Sequence, residues 1–311
     1  MKVVFCGTPQ FAVPCLQALL AAGHKVALVV TQPDRAAGRG MELQAPPVKR
    51  LAMEHHLPVV QPEKIRHNQE LRAQLEAIAP DVIVVVAYGR LIPDWMLALP
   101  RFGNINVHGS LLPRYRGAAP IQWAVANGET TTGVTTMLLD AGLDTGDILL
   151  ERSVEVGPQE TSAELYPRLA EAGASLLLDT LAGLADGTLT PRPQDHALAT
   201  HAPILTREDG AMLFTRTAGQ LYDRWRGFQP WPGAHTVLRG KKLIVHRMQV
   251  AEGSSTLAPG TLLVEGGTIR VVCGMGSLLQ LDEVQLEGKK RMPADEFLRG
   301  FQLRSGERLG A

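Results

Sequence analysis

Two short segments of this chain carry an amide, an imidazole and a carboxylate that could act together in acid–base chemistry. Asn106 and His108 lie in NINVHGSLLPRYRGAAPIQWA, and Asp144 lies at the tip of LLDAGLDTGDILL. A carboxylate can fix the tautomer of an imidazole and offset its positive charge, and an amide N–H can stabilise a developing oxyanion. We therefore predict Asn106, His108 and Asp144 as the catalytic residues, with no metal and no covalent enzyme intermediate.

A parallel sheet must position these residues. The first half of the chain alternates β-rich runs with helical patterns, as βαβ units do. The run DVIVVVA at 81–87 and the segment 103–107 predict two of its strands. Ligand sites lie at the carboxyl ends of such strands. If the second strand continues through residue 108, Asn106 and His108 project from the same face because they are two residues apart.

Each feature also has a purely structural explanation. A single histidine at a strand end is more often a hydrogen-bonded structural residue, and aspartate–glycine runs such as the one around Asp144 often only form tight turns. Taken alone, each feature favours that explanation. Together, Asn106, His108 and Asp144 all fall where an α/β sheet places its active site, which favours catalysis.

The second half of the chain has a different pattern. Thr161 and Glu164 form a predicted capping box before a helix that should end near Gly187. A stretch without periodicity follows, then one helical pattern and short β-type runs broken by glycines, as in a small barrel. The predicted division is a catalytic domain at 1–187, a linker at 188–207 and a barrel domain at 208–311.

The composition excludes several classes of protein. The 311 residues, 45% of them hydrophobic, suffice for two domains. Net charge is zero, which argues against binding nucleic acid by bulk electrostatics alone, although residues 204–311 carry 15 basic and 11 acidic residues. The longest apolar run, VIVVVA, is far shorter than a membrane span. Neither a membrane anchor nor an export signal is expected.

Zinc and NAD sites are also not expected. The three cysteines, Cys6, Cys15 and Cys273, lie far apart and form no CxxC pair, so reduced thiols are predicted. The turn CGTPQFAVPC after the first strand lacks the second and third glycines of GxGxxG. Gly7 is therefore interpreted as letting the chain leave the strand.

The loop TQPDRAAGRGMELQAPPVK contains two arginines, Arg35 and Arg39, among small residues that cannot form a core. It is predicted to be a mobile surface loop. A solvated connector is one explanation. The other is a flexible arm that binds phosphate or a nucleic-acid end, with the glycines beside Arg39 permitting close approach.

These motifs closely resemble those of the methionyl-tRNA formyltransferases over nearly the whole chain. The segments that carry the resemblance are GTPQFAV, QPDRAAGRG, INVHGSLLPRYRGAAPIQWA, TGVTTMLLDAGLDTGDIL and PWPG with its preceding Phe228. The HGSLLPRYRG and GVT signals also occur in glycinamide ribonucleotide and UDP-amino-sugar formyltransferases. The QPDRAAGRG loop and LDTGDI favour the tRNA enzymes, and a stand-alone glycinamide ribonucleotide enzyme would lack the C-terminal barrel.

The resemblance implies a Rossmann-like, mostly parallel formyltransferase domain followed by a small OB-like β-barrel. It implies transfer of the formyl group of 10-formyltetrahydrofolate to the α-amino group of methionine on initiator methionyl-tRNA. Asn106, His108 and Asp144 match the catalytic positions of the family. A cytoplasmic monomer is expected.

The resemblance also implies two binding segments. Arg39 matches an arginine that enters near the acceptor end of the tRNA, and the barrel adds further tRNA contacts. The segment that lines the folate site matches Ser110, Leu111, Leu112 and Pro113.

The chain departs from the family pattern at Met41-Glu42 and at Pro203, where the resemblance implies lysines. Weaker salt dependence of tRNA binding is one consequence. The alternatives are a sugar-nucleotide formyltransferase with the same catalytic residues, a non-catalytic folate- or RNA-binding protein, and a nicotinamide oxidoreductase. The missing glycine fingerprint disfavours the last of these.

Overall fold

The structure is a computed structural model that describes residues 1–37 and 42–310. It divides into two compact units. The first comprises Met1–Pro120, Thr131–Glu155 and Glu164–Pro203, and the second comprises Ile121–Thr130, Val156–Ala163 and the chain from Ile204 onward. Two short segments from the N-terminal half thus belong to the second unit. The functional division at residues 187 and 207 stays a prediction.

The chain up to residue 203 contains nine strands and six α-helices among its described residues. In chain order they are β1 (Lys2–Gly7), α1 (Val13–Ala21), β2 (Lys25–Val30), β3 (Arg35–Ala37), β4 (Glu42–Gln44), α2 (Pro47–Glu54), β5 (Val59–Val60), α3 (Gln69–Ile78), β6 (Val82–Val86), α4 (Asp94–Leu97), β7 (Asn104–His108), α5 (Pro120–Ala126), β8 (Thr131–Leu138), β9 (Ile148–Glu155) and α6 (Ser162–Ala185). Single 3-10 turns cover Gln10–Ala12 and His196–Leu198.

The first unit is built on a seven-stranded sheet in the order β5-β2-β1-β6-β7-β8-β9. The strands from β5 to β7 run parallel, and β8 and β9 are antiparallel to their preceding neighbours. Every residue of β6 and β7 is buried, as central strands covered on both faces require. The chain first builds outward from β1 and then returns to add β6 on the other side. The switch point of the sheet therefore lies between β1 and β6.

Two glycines allow close packing around these strands. At Gly7 an added methyl group would lie 2.9 Å from Ala12 Cβ, which supports the interpretation that Gly7 lets the chain leave β1. At Gly173 a methyl group would lie 2.8 Å from Val107 Cγ1, so this glycine brings α6 close to β7. Helix α6 ends at Ala185, close to the predicted end at Gly187.

The loop that was predicted to be mobile has paired flanks. Strands β3 and β4 form a two-stranded antiparallel ribbon, with Arg35 opposite Gln44. Pairing of this kind satisfies the backbone groups of an exposed segment locally, which a pattern of small residues does not reveal.

The second unit contains an antiparallel sheet in the order β10-β11-β14-β13-β12, with β15 paired to β14. Its elements from residue 204 are α7 (Ala218–Gly227), β10 (Ala234–Leu238), β11 (Lys241–Ser254), β12 (Leu262–Glu265), β13 (Thr268–Val272), β14 (Ser277–Leu286), β15 (Met292–Pro293) and α8 (Ala294–Gly300), with 3-10 turns at Glu208–Gly210 and Gly274–Gly276.

The last described residues connect the two edges of this sheet. Leu309 N donates to Gly260 O just before β12, and Gly310 N donates to Val237 O in β10, both at 2.9 Å. These bonds link β10 and the residues before β12 through the C-terminal segment, and the core of the unit consists of buried apolar side chains such as Leu243 and Leu279. The predicted fold class is confirmed, with a mostly parallel sheet followed by a domain of antiparallel strands that is consistent with the predicted barrel. No described helix is both long and apolar enough to cross a membrane.

Candidate active site

Strand β7 presents Asn106 and His108 at its carboxyl end, as the sequence predicts. Asn106 pairs with Val85 of β6, and His108 pairs with Thr135 of β8. The strand persists through residue 108, so both side chains project from the same face. Only 9% of Asn106 and 6% of His108 are exposed, which places both side chains in a site largely shielded from water.

The imidazole of His108 is oriented by a main-chain carbonyl. Its Nε2 lies 2.9 Å from Tyr115 O. A carbonyl oxygen only accepts, so Nε2 carries the proton in this bond. The other nitrogen, Nδ1, lies 3.8 Å from Asp144 Oδ2, which is too long for a hydrogen bond but close enough for electrostatic attraction.

This geometry corrects one expectation. Asp144 was predicted to fix the tautomer of His108, but Tyr115 makes that hydrogen bond. The sequence could not reveal this contact, because every residue type supplies a backbone carbonyl. The Tyr115 backbone also has a positive φ of 62°, which its residue type does not indicate. The second predicted role of Asp144, to offset positive charge on the ring, stays a prediction, and its carboxylate does face Nδ1.

Asp144 lies in the loop between β8 and β9 and has a φ of 54°. Its Oδ2 accepts a 2.8 Å hydrogen bond from Gly117 N, so the carboxylate bridges the backbone near β7 and the imidazole. The nearby Asp140 has a different role. Its Oδ1 accepts from Gly142 N at 2.9 Å and from Thr145 Oγ1 at 2.7 Å, which shapes the loop.

The segment expected to line the folate site turns the side chains of Ser110 and Leu112 inward. Ser110 Oγ donates to Arg114 O at 2.7 Å. Leu112 packs in a small apolar cluster with Met137 and Ile148. Leu111 and Pro113 are half-buried. The surface that this turn offers a ligand therefore consists of main-chain groups and the side chains of Leu111 and Pro113.

Thr135 holds this turn in place and was not identified from the sequence. Its hydroxyl donates to Ser110 O at 2.7 Å and accepts from Leu112 N at 3.1 Å. The residue is fully buried in β8, opposite His108. A threonine within the apolar run GVTTML is a weak signal of such a role, because threonine is also common in strands for its shape alone.

A second turn at the carboxyl ends of the parallel strands was also not identified from the sequence. It follows β6, where Ala87 and Gly89 have φ values of 45° and 79°. Tyr88 O accepts from Gln32 Nε2 at 3.1 Å and from Thr8 Oγ1 at 3.3 Å, which joins the ends of β1, β2 and β6 at the switch point. The sequence AYGR directly after a buried strand was the available signal.

Two further expectations concern binding groups. Arg39 lies outside the described residues. Within the described ranges, no cluster of three or more histidine, cysteine, aspartate or glutamate residues could hold a metal ion.

Two family models match the chain. The model described as Formyl transferase matches residues 1–181, and the model described as Formyl transferase, C-terminal domain, matches residues 204–302. The chain is 64% identical over 311 residues to the methionyl-tRNA formyltransferase of Acidobacterium capsulatum, with 100% of both chains covered. It is 57% identical over 310 residues to that of Koribacter versatilis, with 100% of this chain and 99% of the relative covered.

The fold is also similar to solved structures. One is the N-formyltransferase from Helicobacter canadensis in complex with folinic acid and dTDP-3-aminofucose, which has a TM-score of 0.66 and 17% identity. The match covers 90% of this chain and 98% of that one. At this identity the likeness shows the fold alone.

Proposed function

We propose, on the premise that this chain belongs to the formyl transferase family, that Asn106, His108 and Asp144 catalyse formyl transfer. The reaction moves the formyl group of 10-formyltetrahydrofolate to the α-amino group of methionine on initiator methionyl-tRNA, in agreement with full-length relatives of up to 64% identity. One observation carries the site assignment. His108 Nδ1 faces Asp144 Oδ2 at 3.8 Å, with Asn106 on the same strand face.

Asn106 is assigned to the formyl oxygen. Its amide has no hydrogen-bond partner among the residues that the structure describes, and its side chain shares a face with His108. An amide N–H donates to an oxygen more strongly as that oxygen gains negative charge. Removing one such donor costs on the order of 10²–10³ in rate.

His108 is assigned to proton transfer. Its Nε2–H is held by Tyr115 O, so Nδ1 is the nitrogen that would take a proton from the attacking amine and return it to the leaving nitrogen. Asp144 would stabilise the ring while it is protonated. The carboxylate side chain is only 12% exposed, and attraction between such charges is stronger there than in bulk water.

The folate donor supplies the reactive formyl group. The turn at residues 110–113 fits a planar ligand, because its side chains at Ser110 and Leu112 are turned inward and Thr135 fixes its backbone. We assign Ser110, Leu111, Leu112 and Pro113 to this site, with the contacts coming from the main chain at Ser110 and Leu112.

We assign tRNA binding to Arg39 and to the barrel domain. The chain is divided, in this proposal, into a catalytic domain that ends at residue 187, a linker that ends at residue 207 and the barrel domain that follows. The net positive charge of residues 204–311 supports an anionic partner. The departures at Met41 and Pro203 leave fewer positive charges than the family pattern implies. We further propose that the protein acts as a monomer in the cytoplasm.

A direct assay tests the choice of acceptor. The protein is incubated with 10-formyltetrahydrofolate and either charged initiator methionyl-tRNA or a UDP-amino sugar, with uncharged initiator tRNA as the control. We expect formyl-methionyl-tRNA and no formylated sugar. Formylation of the sugar without formylation of the tRNA would assign the chain to the sugar-nucleotide enzymes instead.

A further inference from the structure

Gln194 lies in the segment interpreted from the sequence as a linker, yet it is buried and contacts the Asp144 loop. Only 6% of the residue is exposed. Its Nε2 donates to Asp144 O at 2.9 Å and to Gly146 O at 2.7 Å. Both N–H groups of one side chain are thus used to hold the main chain on either side of Thr145. No part of Gln194 contacts the Asp144 carboxylate itself in the bonds described.

The oxygen of the same amide is held by a buried arginine. Gln194 Oε1 accepts from Arg116 Nε at 3.1 Å and from Arg116 Nη2 at 2.6 Å. Arg116 is 6% exposed, and its Nη2 also lies 3.1 Å from His196 Nδ1. These bonds fix which way the amide points. A flipped amide would direct its oxygen at two carbonyls and its NH₂ group at a guanidinium.

The contacts form a closed ring around Asp144. Gly117 N donates to the Asp144 carboxylate, and Gly117 directly follows Arg116 in the chain. Arg116 binds Gln194, which in turn binds Asp144 O. The side chain and the main chain of Asp144 are therefore both attached to the same pair of neighbours. A residue with a φ of 54° needs such support to keep one conformation.

We propose that Gln194 is a positioning residue that, with Arg116 behind it, holds the Asp144 loop so that the carboxylate faces His108. The inference rests on the proposed function, because Gln194 acts only through Asp144. It gives the segment around residue 194 a role in catalysis besides connecting two domains.

An isosteric substitution distinguishes positioning from filling space. Gln194→Glu keeps the shape of the side chain and forms an ion pair with Arg116, but it places a carboxylate oxygen against the carbonyls of Asp144 and Gly146. If Gln194 only filled a cavity or satisfied Arg116, Gln194→Glu would behave like the wild type. If it positions the loop, this variant loses activity while it remains folded.

The experiment compares Gln194→Glu and Gln194→Ala with the matched control Asp195→Ala. Asp195 is the exposed neighbour in the same segment and only caps the turn at Ala197 N. We expect kcat to fall on the order of 10- to 100-fold in both Gln194 variants, as for a misplaced catalytic group. In the Gln194 variants, KM for both substrates should change less than about twofold. In Asp195→Ala, kcat should also change less than about twofold. Wild-type kcat in Gln194→Glu would overturn the inference.

A double-mutant cycle with Asp144→Asn identifies the route of the effect. If Gln194 acts through Asp144, adding Gln194→Ala to Asp144→Asn causes little further loss of kcat. Full additivity of the two losses would overturn the inference while leaving the catalytic role of Asp144 intact. Wild-type kcat in Asp144→Asn alone would instead refute the proposed role of Asp144 and this inference with it. Thermal unfolding of each variant confirms that the folded enzyme is compared.

Discussion

His108 has two nitrogens with two different neighbours, and this difference defines its chemistry. One nitrogen is bound to the Tyr115 carbonyl at 2.9 Å. The other faces the carboxylate of Asp144 across 3.8 Å. A 180° flip of the ring would put Cε1 in the place of Nε2, so it would break the bond to Tyr115 O. A single nitrogen, the one that faces the Asp144 carboxylate, is left for the proposed proton transfer.

The two asparagines of β7, Asn104 and Asn106, provide a matched pair. Asn104 Nδ2 donates to Met96 O and Leu97 O, both at 3.0 Å, so its amide is structural. Asn106 is assigned to the formyl oxygen. We expect Asn106→Ala to lower kcat on the order of 10²–10³-fold with little change in stability.

The control variant, Asn104→Ala, should give the opposite result. It removes the two hydrogen bonds to Met96 O and Leu97 O and should lower the free energy of unfolding by about 1–3 kcal/mol. The kcat of its folded fraction should stay close to wild type. Steady-state kinetics and urea unfolding of both variants check the pair. Equal losses of kcat in the two variants would contradict the assignment of Asn106.

The proposed catalytic side chains are recognisable from the sequence, but the residues that support them are not. Asn106, His108 and Asp144 are recognisable because of their residue types and their places at strand ends. Tyr115 acts through its backbone, and Gln194 reaches Asp144 from 50 residues away in a segment without periodicity. Local patterns do not record such long-range contacts.

Among the secondary-structure elements, strand β8 supports the turn at residues 110–113 through one hydroxyl. Thr135 satisfies both Ser110 O and Leu112 N in a fully buried position. Two polar groups of the turn therefore depend on one side chain. The position of the turn relative to β7 should depend on this threonine more than on the side chains of the turn itself.

Thr135→Val removes both hydrogen bonds and keeps the shape of the side chain. We expect it to raise KM for the folate donor and to lower the free energy of unfolding by about 2 kcal/mol, because two buried groups lose their partner. Thr135→Ser retains the hydroxyl and should keep KM near wild type. Donor titrations and urea unfolding measure both effects. An unchanged KM in Thr135→Val would show that the turn does not bind the donor.

The prediction for tRNA concerns Arg39, which lies in the sequence between β3 and β4. We expect Arg39→Ala to raise KM for the charged tRNA by about tenfold and to reduce the slope of log affinity against log salt by about one. Affinity for the folate donor should not change. The control is Arg50→Ala, which removes an exposed positive charge on α2. Equal KM values for the charged tRNA in the two variants would mean that the segment around Arg39 is only a solvated connector.

In the whole molecule, the alternation of strands and helices correctly predicted the mostly parallel sheet, and the short β-type runs correctly predicted a second domain of β-strands. They did not predict that Ile121–Thr130 and Val156–Ala163 belong to the second compact unit. Inside that unit, the buried guanidinium of Arg226 donates to Gly157 O at 3.0 Å and to Glu160 O at 2.8 Å. These partners lie over 60 residues away in the sequence, beyond the reach of local periodicity.

The three free cysteines report on the integrity of both units. Burial raises the pKa of the Cys6 thiol well above its usual range and raises the pKa of Cys273 to about 12. Burial, followed by the nearby Glu171, raises the pKa of Cys15 to about 12. Raised pKa values leave little thiolate at pH 8, and the thiolate is the reactive form.

We therefore expect a thiol-specific disulfide reagent to modify none of the three cysteines in the native protein at pH 8. The same reagent should modify all three in guanidinium chloride. Mass spectrometry at matched times gives the count of modified thiols. Rapid modification of Cys6 or Cys15 without denaturant would mean that the first unit opens far more readily than its packing indicates.

The most direct test of the central claim is the turnover of His108→Ala with both substrates saturating. General acid–base catalysis contributes about 10²–10⁴-fold, so kcat should fall by that factor. The affinity for methionyl-tRNA, measured in parallel, should stay within about twofold of wild type, because His108 is assigned to chemistry and not to holding the tRNA. A kcat near wild type would contradict the account, since the imidazole between Tyr115 and Asp144 would then take no part in the reaction.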